Sequence, residues 1–234
     1  NFGGSAGGLD YTLGYERFRT DNDYKVPLGA ANRGADGRLF NGDTKLNNYY
    51  GSLGLQLNPR NDLSLDVSTT NSRRGLLYFG FPLQRDRLDH DKVNAGITWK
   101  SMLGNSDDST LNTTLGFNQD YFSTYGPTQN TFYRTGKLNS RALNARIDHN
   151  WQTSKNNNLR WGIDLQNSFI TGEPSSNVPR VVQFNGEVDE DRFQTALFAL
   201  NSWQLSKNLQ AELGLRQNFT NDFGNYLNPS VGLN

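Results

Sequence analysis

Apolar residues along this chain recur at every second position far more often than at the three- and four-residue spacing of a helix, which predicts strands. Leu63, Leu65 and Val67 fall on one side of an extended segment, with Ser64, Asp66 and Ser68 on the other. The pattern returns in Val93, Ala95, Ile97 and Trp99, then in Leu159, Trp161, Ile163 and Leu165, and again in Leu209, Ala211, Leu213 and Leu215. Followed along the chain it predicts about ten strands, near 9–19, 45–57, 62–72, 91–101, 110–121, 138–151, 159–170, 191–205, 209–219 and 226–234. Ala196-Leu197-Phe198-Ala199-Leu200 is apolar on both faces, so its orientation is open.

The connections carry a second signal. Asn58-Pro59-Arg60-Asn61, the run 104–108, the run 153–158 and Ser206-Lys207-Asn208 are tight and rich in turn formers. Between them lie much longer segments near 20–44, 73–90, 122–137 and 171–190. Such alternation is what a transmembrane antiparallel up-and-down β-barrel of the bacterial outer membrane has, with short turns at the periplasm and long loops outside. Trp99, Trp151, Trp161 and Trp203 all fall at strand ends on the short-turn side, where interfacial aromatics gather. Phe18, Tyr121, Phe122, Phe169, Phe193 and Phe219 lie near the opposite rim. A soluble sandwich would use its aromatics as core and would not place the tryptophans on one side.

Composition narrows the picture without changing it. The 234 residues carry 23 basic and 23 acidic side chains, so no general field draws the chain to nucleic acid. A mean hydropathy of −0.73 and the absence of any apolar run approaching about 18 residues exclude a transmembrane helix but not a barrel, whose strands need an apolar residue only at alternate positions. Cysteine is absent, and with it disulfides, thiolate metal sites and thiol catalysis. No nucleophile elbow, phosphate-binding loop or zinc helix occurs, and Gly3-Gly4-Ser5-Ala6-Gly7-Gly8 leads into a strand rather than a helix. No catalytic residue, cofactor or metal is therefore expected; His90 and His149 have no companion at ligand spacing.

The stretch from Phe193 through Trp203-Gln204-Leu205, followed by Leu209-Gln210-Ala211-Glu212-Leu213-Gly214-Leu215-Arg216, resembles a hairpin of TonB-dependent outer-membrane receptors. Asn228-Pro229-Ser230-Val231-Gly232-Leu233 resembles the strand that follows it there, and Gly7 to Phe18 an early barrel strand. The likeness is greatest to the branch with cobalamin and siderophore receptors. It implies that residues 1–234 are one partial domain, about ten strands of a barrel of about 22, without the plug and the C-terminal barrel strands. It implies a place in the lipid bilayer of the bacterial cell outer membrane, uptake of a ferric siderophore or cobalamin, and coupling to the TonB complex through the absent plug. The alternatives are a soluble all-β carbohydrate-binding or adhesion module and a passive porin.

For ligand contact the outer loops offer guanidinium and aromatic groups, which pair with carboxylates and stack on flat chelates. The candidates are Arg73, Arg74, Tyr78, Phe79, Phe81 and Arg85 in one loop and Tyr125 and Tyr133 in the next.

Overall fold

The computed structural model describes residues 1–22, 24–30, 33–75, 86–104, 108–127, 132–174 and 188–234, with the side chains at 127, 132–135 and 174 left aside. They form one antiparallel sheet whose strands pair in sequence order. The strands are β1 (Phe2–Ala6), β2 (Leu9–Thr20), β3 (Thr44–Asn58), β4 (Asn61–Gly75), β5 (Arg87–Met102), β6 (Ser109–Pro127), β7 (Phe132–Ser154), β8 (Asn157–Pro174), β9 (Val188–Ser206), β10 (Leu209–Thr220) and β11 (Gly224–Leu233). Every strand expected from the alternation is present, and one more precedes them.

That extra strand, β1, is glycine-rich and offers no apolar alternation, so pattern alone misses it. It is fixed by its turn instead. Gly7 and Gly8 sit at φ 60° and 83°, the positive values a tight hairpin needs at both central residues, and Phe2 lies 5.7 Å from the Tyr11 ring across the pair. The strands also run further outward than the sequence predicts. β6 and β7 leave only 128–131 between them where a loop over 122–137 is expected. The reason is that above the apolar band the aliphatic alternation gives way to Ser, Thr, Gly and scattered aromatics while the backbone ladder continues.

The register gives the sheet two unlike faces. From β2 to β11 the odd-numbered positions share one face, and nearly all the exposed large apolar strand residues are on it, with few exceptions such as Phe18 and Tyr226. Leu13, Leu115 and Leu143 are each more than half exposed. Among the described residues only Val26 and Ala196 are buried hydrophobics, and no second sheet or helix covers the odd face. A soluble sandwich buries its apolar face against a second sheet; this sheet presents that face to its surroundings, as a wall in lipid must.

The two ends of the apolar band are marked. Trp99, Trp151 and Trp203 each stand three residues before the ends of β5, β7 and β9, and Trp161 lies near the start of β8. At the other end Tyr15 stacks on Tyr49 with centroids 4.8 Å apart, and the Tyr15 hydroxyl donates to Asn47 Oδ1 at 3.0 Å. Tyr121, Phe169, Phe193 and Phe219 share this odd face, whereas Phe18 and Phe122 point from the other.

Candidate functional site

Ladder pairing brings the outer ends of β4 to β7 side by side: Gly75 opposes Arg87, Arg87 opposes Tyr125, and Tyr125 opposes Arg134. Two of the arginines expected at the ligand site, Arg73 and Arg74, close β4 from opposite faces. Arg73 is on the odd face, where its Nε donates to Asp89 Oδ1 at 2.9 Å, and Arg74 is on the even face opposite Leu88. Tyr125 stands on the odd face near the end of β6, and Tyr133 lies in β7 opposite Gly126. Tyr78, Phe79, Phe81 and Arg85 fall outside the described residues.

The segment between β2 and β3 folds back over this rim. Its own bridges, Lys25 with Arg38 and Arg33 with Leu39, shelter Val26. It is tied down by the Asp43 carboxylate, 2.6 Å from Arg87 Nη1, by Asn41 Nδ2 donating to the Asp86 carbonyl at 2.8 Å, and by the Gly75 amide donating to the Asp43 carbonyl at 3.1 Å. Burial at this junction pushes the Asp86 carboxyl above its ordinary value, because the charged form loses hydration. An open cavity of about 380 Å³ lies beside it, lined by Asp21, Asn22, Asp36, Arg38 and Asp43 among others. Among the described residues no three His, Asp or Glu side chains gather as metal ligands do.

On the even face below the rim is a cluster that sequence reasoning misses. His90 Nε2 lies 2.9 Å from Asp120 Oδ1, and the His90 ring stacks on Phe122 at 4.0 Å and 13°. The partners are 30 and 32 residues away in sequence, so only the β5–β6 register joins them.

Deeper on the same face a lattice of charges crosses β7, β8 and β10. Asp148, with its side chain 9% exposed, lies 3.3 Å from both Arg146 Nε and Arg160 Nε. Asp164 meets Arg216 Nη1 at 2.6 Å and Arg146 Nη1 at 3.6 Å. The Phe198 ring receives the Arg146 guanidinium at 4.8 Å and that of Arg216 at 5.9 Å. Here the ambiguous apolar run of β9 resolves: Leu197 and Ala199 face the apolar side, and Phe198 faces the charges. Its ring lies over Gly162, its direct ladder partner, where any Cβ would collide with the Ile147 carbonyl oxygen and with the ring itself.

No family model matches the sequence, and no curated protein matches it. Solved structures do match the fold. A variant of the ferric enterobactin receptor PfeA of Pseudomonas aeruginosa, in complex with enterobactin, superposes with a TM-score of 0.72 at 19% identity, over 99% of this chain and 38% of that one. The FrpB iron transporter of Neisseria meningitidis gives 0.70 at 12% identity over 99% and 38%, and the siderophore receptor PirA of Acinetobacter baumannii 0.68 at 12% over 96% and 36%. The chain thus spans a little over a third of the length of these neighbours and has the fold of the barrel wall of TonB-dependent outer-membrane receptors.

Proposed function

We propose that the chain forms part of the wall and outer rim of a bacterial outer-membrane receptor that takes up a metal chelate, with the odd face toward lipid and the even face toward the lumen. The reading is carried by the uncovered apolar face of a single up-and-down sheet, which only a lipid surround makes stable. β1 and β11 each pair on one side only in this sheet. Since lipid cannot satisfy a bare strand edge, the proposed barrel needs both edges paired, and the receptor reading adds a plug with a TonB contact. No bond chemistry is assigned to these residues; the chain supplies scaffold and binding surface.

For substrate we favour a ferric siderophore over cobalamin. The rim sends Arg74 to the lumenal side, above the stacked His90 and Phe122 rings on the same face, a set suited to an anionic chelate with flat rings. Of the sequence candidates, Arg73 and Tyr125 fall on the face proposed to meet lipid, so the proposed contact set is Arg74, on the lumenal face, with Tyr78, Phe79, Phe81, Arg85 and Tyr133. Binding of a ferric catecholate chelate, followed by tryptophan quenching of the full-length protein in detergent, should weaken about tenfold in Arg74→Ala. Tighter binding of cobalamin would move the substrate to the other branch. Binding of neither, together with steady ion conductance in planar bilayers, would make the protein a porin.

A further inference from the structure

Just above the Tyr15–Tyr49 pair the odd face carries a row of like charges. Arg19 is the direct ladder partner of Lys45, and Lys45 of Arg73. Arg17, opposite Asn47, stands diagonally one step below Lys45. Directly opposed side chains have Cβ atoms only about 5 Å apart, and sheets avoid like charges there because the repulsion costs stability. The two ends of the row are relieved: Arg19 pairs with Asp21 at 3.0 Å and Arg73 with Asp89 at 2.9 Å. A third carboxylate nearby, Asp91, accepts from Asn71 Nδ2 at 2.7 Å. Lys45, at the centre, and Arg17, diagonally below it, are exposed and have no carboxylate partner among the described residues.

We infer that Arg17 and Lys45 form a site for a phosphate of an outer-leaflet glycolipid. The inference rests on the outer-membrane reading, because it needs the odd face to meet lipid. Height and charge select the occupant together. Stacked tyrosines with a hydrogen-bonded hydroxyl mark the level where acyl chains give way to head groups. The cations lie one and two ladder steps beyond, at the depth of the phosphates on a lipid's sugar. A phosphate there supplies the counter-charge that the centre of the row lacks, and it accepts from both side chains at once. A soluble ligand bound for the lumen would meet the opposite face, so this site serves anchoring rather than uptake.

The test is retention of glycolipid by the full-length protein extracted from membranes, read by native mass spectrometry after exchange into mixed micelles with bisphosphorylated lipid A. Each cation removed should lower retention about fivefold, so Arg17→Gln with Lys45→Gln should lose about 25-fold. Lys45→Arg should restore most of what Lys45→Gln loses. Lipid A stripped of its phosphates should bind the natural protein no better than the double variant. Equal retention of the two lipids, or no loss in the double variant, would overturn the site, as would displacement of lipid A by inorganic phosphate at the same concentration. The receptor reading is scored separately: a protein that is absent from the outer-membrane fraction fails that reading, whereas one inserted there without phosphate discrimination fails only this inference.

Discussion

The charges on the two faces of this sheet follow opposite rules. On the even face, Arg146, Arg160 and Arg216 alternate with Asp148 and Asp164, and each guanidinium reaches a carboxylate. On the outer face, Arg19, Lys45 and Arg73 stand in consecutive ladder positions, with carboxylates only at the ends. The first arrangement is self-sufficient, so it belongs to the structure of the wall. The second is stable in proportion to what it meets, so it belongs to the surroundings. Mutual pairing, more than charge itself, separates scaffold from recognition.

The largest effect should come from cutting the lattice at its most enclosed member. Asp148→Ala leaves Arg146 and Arg160 without their shared carboxylate, and Asn112 Nδ2, 3.4 Å away, without its acceptor. The loss should be about 2 to 3 kcal/mol, at the low end for a broken buried pair because both arginines are partly exposed. It is read as an earlier loss of the compact band in heated gel electrophoresis. A smaller loss, about 1 to 2 kcal/mol, is expected for Phe198→Ala, which removes the surface on which Arg146 and Arg216 stack and uncovers Gly162. The smallest change should have the other sign. In glycolipid-free detergent, Lys45→Gln should stabilise the protein by about 0.3 kcal/mol, because a like-charge pair is relieved with nothing lost. A clear destabilisation there would put the outer row in the same class as the lattice and erase the contrast.

The sequence carries most of the strand order because each strand has one apolar face, and period two survives single substitutions such as Gly51 or Thr113. It is silent on β1, where glycine leaves no pattern, and on the outward extensions of β6 to β8, where no aliphatic alternation remains. Phe198 shows a different limit. An aromatic residue on the polar face reads as apolar, and only the guanidiniums of its ladder partner Arg216 and of Arg146 two strands away explain it. The candidate site was legible in part. Arg73 and Arg74 are adjacent, so any strand through them must send them to opposite faces, yet which one shares the face of the charge lattice follows from the register of the whole sheet. His90 with Asp120 and Phe122, and Arg17 with Lys45, are invisible without that register, since nothing local links residues so far apart in sequence.

The strict neighbour-to-neighbour order of the sheet also bears on how the wall assembles. Turns such as Gly7-Gly8, Pro59-Arg60, Lys155-Asn156 and Lys207-Asn208 join strands with almost no slack, while the segment 21–43 must bring distant ends together. On loop-closure grounds the difference is roughly 2 kcal/mol of chain entropy in favour of the short turns. Hairpins β1–β2, β3–β4, β7–β8, β9–β10 and β10–β11, the last closed by 221–223 alone, are therefore the units that form first. The longer connections, 21–43 and those between β4 and β5 and between β8 and β9, are then drawn together as those units zip, so the part of the rim proposed to meet a ligand is the last to acquire its shape.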